Sequence, residues 1–430
     1  MKTDQIQKVH KDWYKLDLSA IVYPTLQRRD FSSVYRLSVL LKEDIDPEIL
    51  QRAVNLTMPR FPTYKAAIRK GVFWRYLEPN DRPGPFVQED VKNPCQPMHF
   101  KGNNRYLVRI YYYRNRIALE AHHSLGDGTG GMCVLQTLTA TYLRLKGHSE
   151  IENGGFVLDI LGIPDPGELE DAYMKYANAK VCPPRPGEKT YRVRGTKEPF
   201  YTLNIIDGIM SVSEVMQVAK SYNATITEYL NSVLLYALMQ KQESEWHWKL
   251  RPVKIAMPVN LRRFFPSRTL RNFITMIYPG IDPRLGEYTF EEIVTQVHNY
   301  MRYYLNEKLL RGDITTNAET QRNPFIRIVP LFIKDLVVRQ FYTKIQDKNS
   351  SAGLTNMGAL KVPETMKPYI ERFDIYMGQP FSTRTNCAIA SFDDILTINF
   401  ASSIAETDVE RLFFRKLVQD GIHVKIESNR

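Results

Sequence analysis

The sequence is sparing with cysteine, histidine and long apolar runs, and each shortage closes off a class of chemistry. Its four cysteines, Cys95, Cys133, Cys182 and Cys387, lie far apart with no CxxC pair. That argues against a zinc ribbon or a redox dithiol and fits reduced cytosolic thiols. The longest apolar stretch, VLLYALM at Val233 to Met239, is far too short to span a bilayer, and the opening MKTDQIQKVHKDW has no apolar h-region. A protein without a transmembrane segment, soluble and cytoplasmic, is expected. No block of consecutive Lys and Arg occurs, no period repeats, and no GK[ST] follows the glycine-rich stretches, so a basic tail, a solenoid and a Walker loop are all set aside.

What is present suits a large α/β protein. The 430 residues are 43% hydrophobic and 11% aromatic, ample for two domains. Lys and Arg total 58 against 47 Asp and Glu, a net charge of +11. An anionic partner would fit that balance: a nucleotide-bearing cofactor, an acidic surface or nucleic acid. A scattered basic surface fits it equally, and dispersal of the charge without a recognised motif argues against nucleic acid.

Local signals recur along the chain. Asp46 as N-cap, Pro47 at the first helical position and Ile49, Leu50, Ala53 and Val54 on one face predict a helix that ends by Pro59. AAIRKGVFWRYLE predicts a hairpin turning at Lys70-Gly71, and YLVRIYYYRNRIALEAHH another turning near Arg114 to Arg116. From Glu150 to Lys197 the pattern gives way to Pro, Gly and charge, the best linker candidate between domains 1–175 and 176–430. Thr225 with Glu228 makes a capping box ahead of a core helix, VKIAMPVN reads as a buried strand entering an Arg-rich loop, and CAIASF with ILTINFA reads as a hairpin around Asp393-Asp394. Thr407 and Glu410 are expected to cap the last helix. Each half thus holds hairpins plus packed helices, an α/β layered arrangement.

One stretch carries chemistry. EAHHSLGDGTGGM, Glu120 to Met132, lies between the strand IALEAHH and the amphipathic helix MCVLQTLTATYLRL. Gly126, Gly128 and Gly131 satisfy GxGxxG, but the strand follows an antiparallel partner, and KGHSEIENGG offers no second apolar strand with a ribose-binding acid. Metal binding is no better served. Adjacent strand side chains point to opposite faces, so His122 and His123 do not share an ion, and one His plus Asp127 supplies too few ligands. A metal site is therefore not expected.

The string HHSLGDG, His122 to Gly128, resembles the HHxxxDG signature of the chloramphenicol acetyltransferase-like superfamily, which includes condensation domains, plant BAHD acyltransferases, wax-ester synthases and alcohol acetyltransferases. MPVNLR, Met257 to Arg262, resembles the segment that supplies an arginine to the motif's aspartate, and LTNMG, Leu354 to Gly358, resembles the Ser-Asn-x-Gly segment of alcohol acetyltransferases and wax-ester synthases. The likeness runs from about Trp13 to Ile426. FDIYMGQP keeps only Asp374, Gly378 and Pro380 of the plant enzymes' DFGWG-x-P segment, and no carrier-protein GxDSL serine occurs.

The resemblance implies two chloramphenicol acetyltransferase-like domains forming a pseudo-dimer, with an active-site tunnel between them. It implies His123 as general base, His122 as a structural neighbour, and Asp127 paired with Arg262 to hold the loop. An N–H near Gly128 would help an oxyanion, and the glycines would give the backbone freedom there. An imidazole suits acyl transfer because its ordinary pKa lies near operating pH. Acyl-CoA is the expected donor, with no permanently bound cofactor, and an alcohol or amine the acceptor. A separate carrier protein remains an alternative donor, and a catalytically idle binding or scaffold member is the other reading. Arg263, Arg268 and Arg271 are candidate ligands for the donor's phosphates, with a solvated loop as the alternative. A monomer is expected.

Overall fold

The computed structural model describes residues 13–27, 31–180, 188–245, 249–345, 349–378 and 383–430. Cys182 and Pro380 lie outside them. In chain order the strands are β1 (Tyr14–Lys15), β2 (Val34–Leu41), β3 (Ala66–Lys70), β4 (Arg75–Pro79), β5 (Val87–Glu89), β6 (Val108–Tyr113), β7 (Arg116–His122), β8 (Asn204–Ser211), β9 (Val253–Asn260), β10 (Ile274–Ile277), β11 (Gly280–Ile281), β12 (Ala352–Ala359), β13 (Ile370–Met377), β14 (Thr385–Phe392), β15 (Ile395–Ser402) and β16 (Lys425–Ser428). The helices are α1 (Tyr23–Leu26), α2 (Pro47–Thr57), α3 (Gly128–Leu145), α4 (Ala172–Tyr176), α5 (Val212–Ser221), α6 (Ile226–Ser244), α7 (Phe290–Tyr304), α8 (Glu307–Arg322), α9 (Pro324–Ile328), α10 (Leu331–Ile345) and α11 (Asp408–Gln419).

Local chemistry explains most of these limits. The Asp46 carboxylate accepts from the Glu48 and Ile49 N–H groups and opens α2, whose Leu50, Ala53 and Val54 are buried. The α-helix ends at Thr57, before Pro59 as expected, and Met58–Arg60 follows as a 3-10 turn. At the head of α6, Thr225 and Glu228 bond each other's backbone reciprocally, as the capping-box pattern predicts. The corresponding expectation for α11 fails. Thr407 makes no side-chain cap, and Glu410 is buried, accepting from Thr385 Oγ1 at 3.2 Å. A sheet residue has outcompeted the helix end for that carboxylate.

Three sheets form. The five-stranded sheet runs β13-β2-β7-β6-β5, the larger sheet runs β10-β9-β12-β14-β15-β8-β16 with β11 also on β9, and β1-β4-β3 makes a small third. Strand β13 comes from late in the chain, yet it pairs antiparallel with β2 from Tyr35↔Met377 to Leu41↔Ile370. The larger sheet feeds two cores by strict alternation: Cys387 and Ile389 of β14 enter the core around α6, whereas Ala388 and Ala390 enter the core around α3.

The stretch expected as a linker, Glu150 to Lys197, is largely packed between 150 and 180. Ile151 and Val157 join the first core, and Ala172, Tyr173 and Ala177 meet Leu261, Phe265 and Phe273 in a third cluster. Arg60 grips Glu168 through two hydrogen bonds of 2.7 and 2.8 Å. The polar composition conceals a few apolar anchors at the right places.

Candidate active site

The site is assembled where β7 ends and α3 begins. His122, the last residue of β7, is buried, its Nδ1 accepts from the Ser124 N–H at 3.2 Å, and Phe100 meets its ring edge-to-face. Burial, with His123 beside it, pushes its pKa down to about 3. His123 is only half-buried and lies outside the strand. Its ring stands against Tyr23 and Tyr35, with centroids at 4.8 and 4.6 Å. Desolvation pulls its pKa down to about 4 against the opposing pull of Asp127, Asn272 and Gly126. The ring is therefore neutral at pH 7 and able to accept a proton.

Asp127 points elsewhere. Its Oδ1 caps α3 by accepting from Thr129 and Gly130 N–H, and its Oδ2 accepts from Arg262 Nη1 at 2.8 Å and Phe273 N–H at 2.9 Å. Arg262 spends its remaining donors on Asp127 Oδ1 and Asn260 Oδ1 and on the Thr269 and Arg271 carbonyls. The guanidinium fork thus staples the α3 N-terminus to the loop after β9.

The helix starts at Gly128, four residues before the expected Met132, so Gly130 and Gly131 lie in its first turn. The glycines here serve contact. None of Gly126, Gly128, Gly130 and Gly131 has a left-handed backbone. A Cβ on Gly130 would sit 1.9 Å from the Leu270 carbonyl oxygen, and one on Gly131 2.6 Å from the Tyr35 hydroxyl. Conformational freedom, the expected reason, is replaced by close approach of α3 to the 270 loop.

The three motif segments meet. Asn260 Nδ2 donates to Thr129 Oγ1 at 3.3 Å, a Cβ on Gly128 would lie 3.0 Å from Met357 Sδ, and one on Gly358 3.4 Å from Arg263 Nη2. Within LTNMG, Asn356 Oδ1 accepts from the Gly358 N–H, holding the turn in which Gly358 takes φ +73°. Of the three loop arginines, Arg263 and Arg268 are exposed, Arg268 lying 3.3 Å from Asp165. Arg271 is buried, 3.6 Å from Asp17, and donates to the Lys15 carbonyl. That burial withdraws Arg271 from any solvent-borne phosphate.

Sequence reasoning missed Asn272. Its Nδ2 donates to the His123 carbonyl at 2.8 Å and to Asp17 at 3.1 Å, so a buried Asp17–Asn272 pair holds the backbone of the histidine. The only trace in the sequence is an Asn between Arg271 and the apolar Phe273 and Ile274 in LRNFITM. Tyr23 and Tyr35 were hidden among core aromatics, since nothing local announces that their rings face a histidine. Among the described residues no group of three or more His, Cys, Asp or Glu could hold a metal ion. A polar cavity of about 270 Å³ lined by Arg36, Lys92 and Arg109 lies apart from the site, with both arginines already on Glu120. Strand β7 pairs antiparallel with both β2 and β6, which excludes the βαβ crossover that a dinucleotide loop needs.

No protein-family model matches the sequence, and no curated protein matches it. Solved structures do. The trichothecene 15-O-acetyltransferase of Fusarium sporotrichioides is similar at 13% identity and TM-score 0.59, over 95% of this chain and 94% of that one. TRI101 of F. graminearum, complexed with coenzyme A and T-2 mycotoxin, gives 10% identity and TM-score 0.61 over 96% and 99%. The starter condensation domain of rhizomide synthetase, in complex with C8-CoA, gives 12% and 0.58 over 98% and 100%. The chain has the mixed α/β fold of these acetyltransferases and of the condensation domain.

Proposed function

We propose that this protein is an acyltransferase that moves an acyl group from acyl-CoA to an alcohol or amine. The observation that carries the reading is His123: a neutral, half-buried imidazole just past a strand end, with the nearby carboxylate turned away into Arg262. In this reading His123 takes the acceptor's proton as the oxygen or nitrogen attacks the thioester carbonyl, then returns it to the departing thiolate. Asp127 and Arg262 act by fixing the loop, and an N–H near Gly128 steadies the oxyanion. A tunnel between the two halves would bring donor and acceptor to His123, with Arg263 and Arg268 as the exposed candidates for the donor's phosphates.

Direct attack is favoured over an acyl-enzyme because Cys133, the nearest thiol in sequence, is buried and its pKa is pushed up to about 12, chiefly by desolvation. A carrier-protein thioester is the alternative donor, supported by the fold shared with a condensation domain. The test is thiol release from a panel of acyl-CoAs and acyl-carrier thioesters, with and without candidate acceptors. Acceptor-dependent release, indifferent to chelators and NAD(P), is expected. Release without acceptor in a stoichiometric burst would overturn the mechanism.

A further inference from the structure

Helices α9 and α10 are amphipathic the wrong way round. Phe332, Leu336 and Val337 of α10 are exposed, and so are Phe325 and Ile328 of α9, with Phe325 78% and Phe332 74% accessible. The one acid of α10 points inward: Asp335 bonds Arg75 and Thr25 Oγ1. The tip of the β3–β4 hairpin extends the same surface. The Leu331 N–H donates to the Val72 carbonyl and Lys334 Nζ to those of Phe73 and Arg327, so the exposed Val72 and Phe73 are tied to the helices, with exposed Trp74 next to them. An apolar surface this dense, on two linked elements, is one that water alone does not favour leaving bare.

We propose that α9, α10 and the β3–β4 tip form a docking face for an anionic lipid bilayer surface. Charge selects the occupant. Between 321 and 345 the only acid is Asp335, which is turned into the body, whereas Arg322, Arg327, Lys334 and Arg339 are all basic and Lys70 is exposed at the hairpin. A second copy meeting this face through a two-fold axis would set these cations against themselves. An anionic headgroup layer complements them, while Phe, Ile and Trp side chains reach the acyl boundary. Docking would be peripheral, because no helix among the described residues is long and apolar enough to cross a membrane.

The face is also one short helix away from His123. Asp335 and Arg339 bond Thr25 of α1, and α1 begins with Tyr23, whose ring stacks on the histidine. If the acyl-transfer reading holds, docking would present the site to a lipid-borne acyl donor or acceptor. The docking itself does not depend on that reading.

Co-sedimentation of the full chain with vesicles separates these outcomes. Wild-type protein should pellet with phosphatidylcholine vesicles containing phosphatidylglycerol, bind pure phosphatidylcholine more weakly, and be released by salt. Phe332→Glu with Leu336→Glu should lower the partition coefficient by about tenfold or more while leaving the melting profile intact, since both side chains are exposed. Should that variant misfold, quenching of the wild-type protein by brominated lipid reports directly, and Trp74→Phe should remove it. Wild-type protein left in the supernatant with anionic vesicles, or absence of quenching, overturns the proposal. So does a dimer that the double substitution dissociates while vesicles bind neither form. None of these readouts uses acyl transfer, so failure of the proposed reaction leaves them interpretable.

Discussion

Replacing Asp127 by alanine should cost more stability than replacing its partner Arg262, and the difference follows from what each leaves behind. In Arg262→Ala the carboxylate keeps three backbone donors, Thr129, Gly130 and Phe273. In Asp127→Ala the guanidinium keeps the Thr269 and Arg271 carbonyls and Asn260, but it loses its counter-charge. At the same time α3 loses its N-cap and the Phe273 N–H is left without an acceptor. Breaking a buried pair costs about 3–5 kcal/mol. A lost N-cap adds about 1 kcal/mol, and an orphaned buried donor about 1–3 kcal/mol. These terms share atoms and do not sum fully, so Arg262→Ala is expected near 3 kcal/mol, roughly the bottom of the pair range, and Asp127→Ala near 5 kcal/mol or beyond. Asp127→Asn, which keeps both cap bonds, should fall between them. Urea unfolding of the three variants, followed by near-UV dichroism and tryptophan emission, gives the order. An Asp127→Ala protein that unfolds at the wild-type midpoint yet transfers no acyl group would refute the reasoning and make Asp127 a carboxylate of the reaction itself.

Four further outcomes are expected. His123 carries a pKa lowered from 6.5 to about 4, so the folded protein binds fewer protons than the unfolded chain in that interval, and this part of its stability is full above pH 6.5 and lost as pH falls toward 4. The acid limb of kcat/KM should lie near 4, leaving about nine tenths of the base form at pH 5 where an ordinary imidazole keeps about 3%; a limb near 6.5 would contradict the site's desolvation. His123→Ala should lower transfer by about two to four orders of magnitude with the fold retained, and near wild-type turnover would remove the histidine from the mechanism. Gly130→Ala should express poorly, since its Cβ meets a backbone carbonyl, whereas Gly128→Ala meets only the flexible Met357 thioether and should fold; equal behaviour of the two would discount the close-approach account. Asn272→Ala should slow transfer by up to about a hundredfold and move the acid limb further down, because Asn272 raises the His123 pKa; an unmoved limb would reduce Asn272 to a packing residue.

The reach of the sequence follows the range of the forces involved. Short-range devices could be read: the Asp46 cap, the Thr225 and Glu228 box, and the hairpins at Arg114 and Asp393; the long-range partnership of Asp127 with Arg262 was available only through the motif resemblance. Features decided by distant packing could not. Glu410 has the spacing of a capping residue, but Thr385 lies within reach of its carboxylate and takes it. Arg268 and Arg271 look alike in LRRFFPSRTLRN, yet one is solvated and the other is locked onto Asp17, an acid more than two hundred residues earlier. Asn272 needed the same long-range partner before its hold on His123 had meaning.

The late entry of β13 bears on how the chain is made. Until residue 377 has left the ribosome, β2 presents one bare hydrogen-bonding edge, and the strand whose far end positions the histidines has a sheet that is still open on that side. The first half is thereby held unfinished for most of translation, vulnerable to pairing with other nascent chains, and its completion is timed to the synthesis of the second half. Cutting the gene near codon 175 should accordingly yield two poorly behaved fragments that recover together, a complementation system in which a single strand acts as the latch.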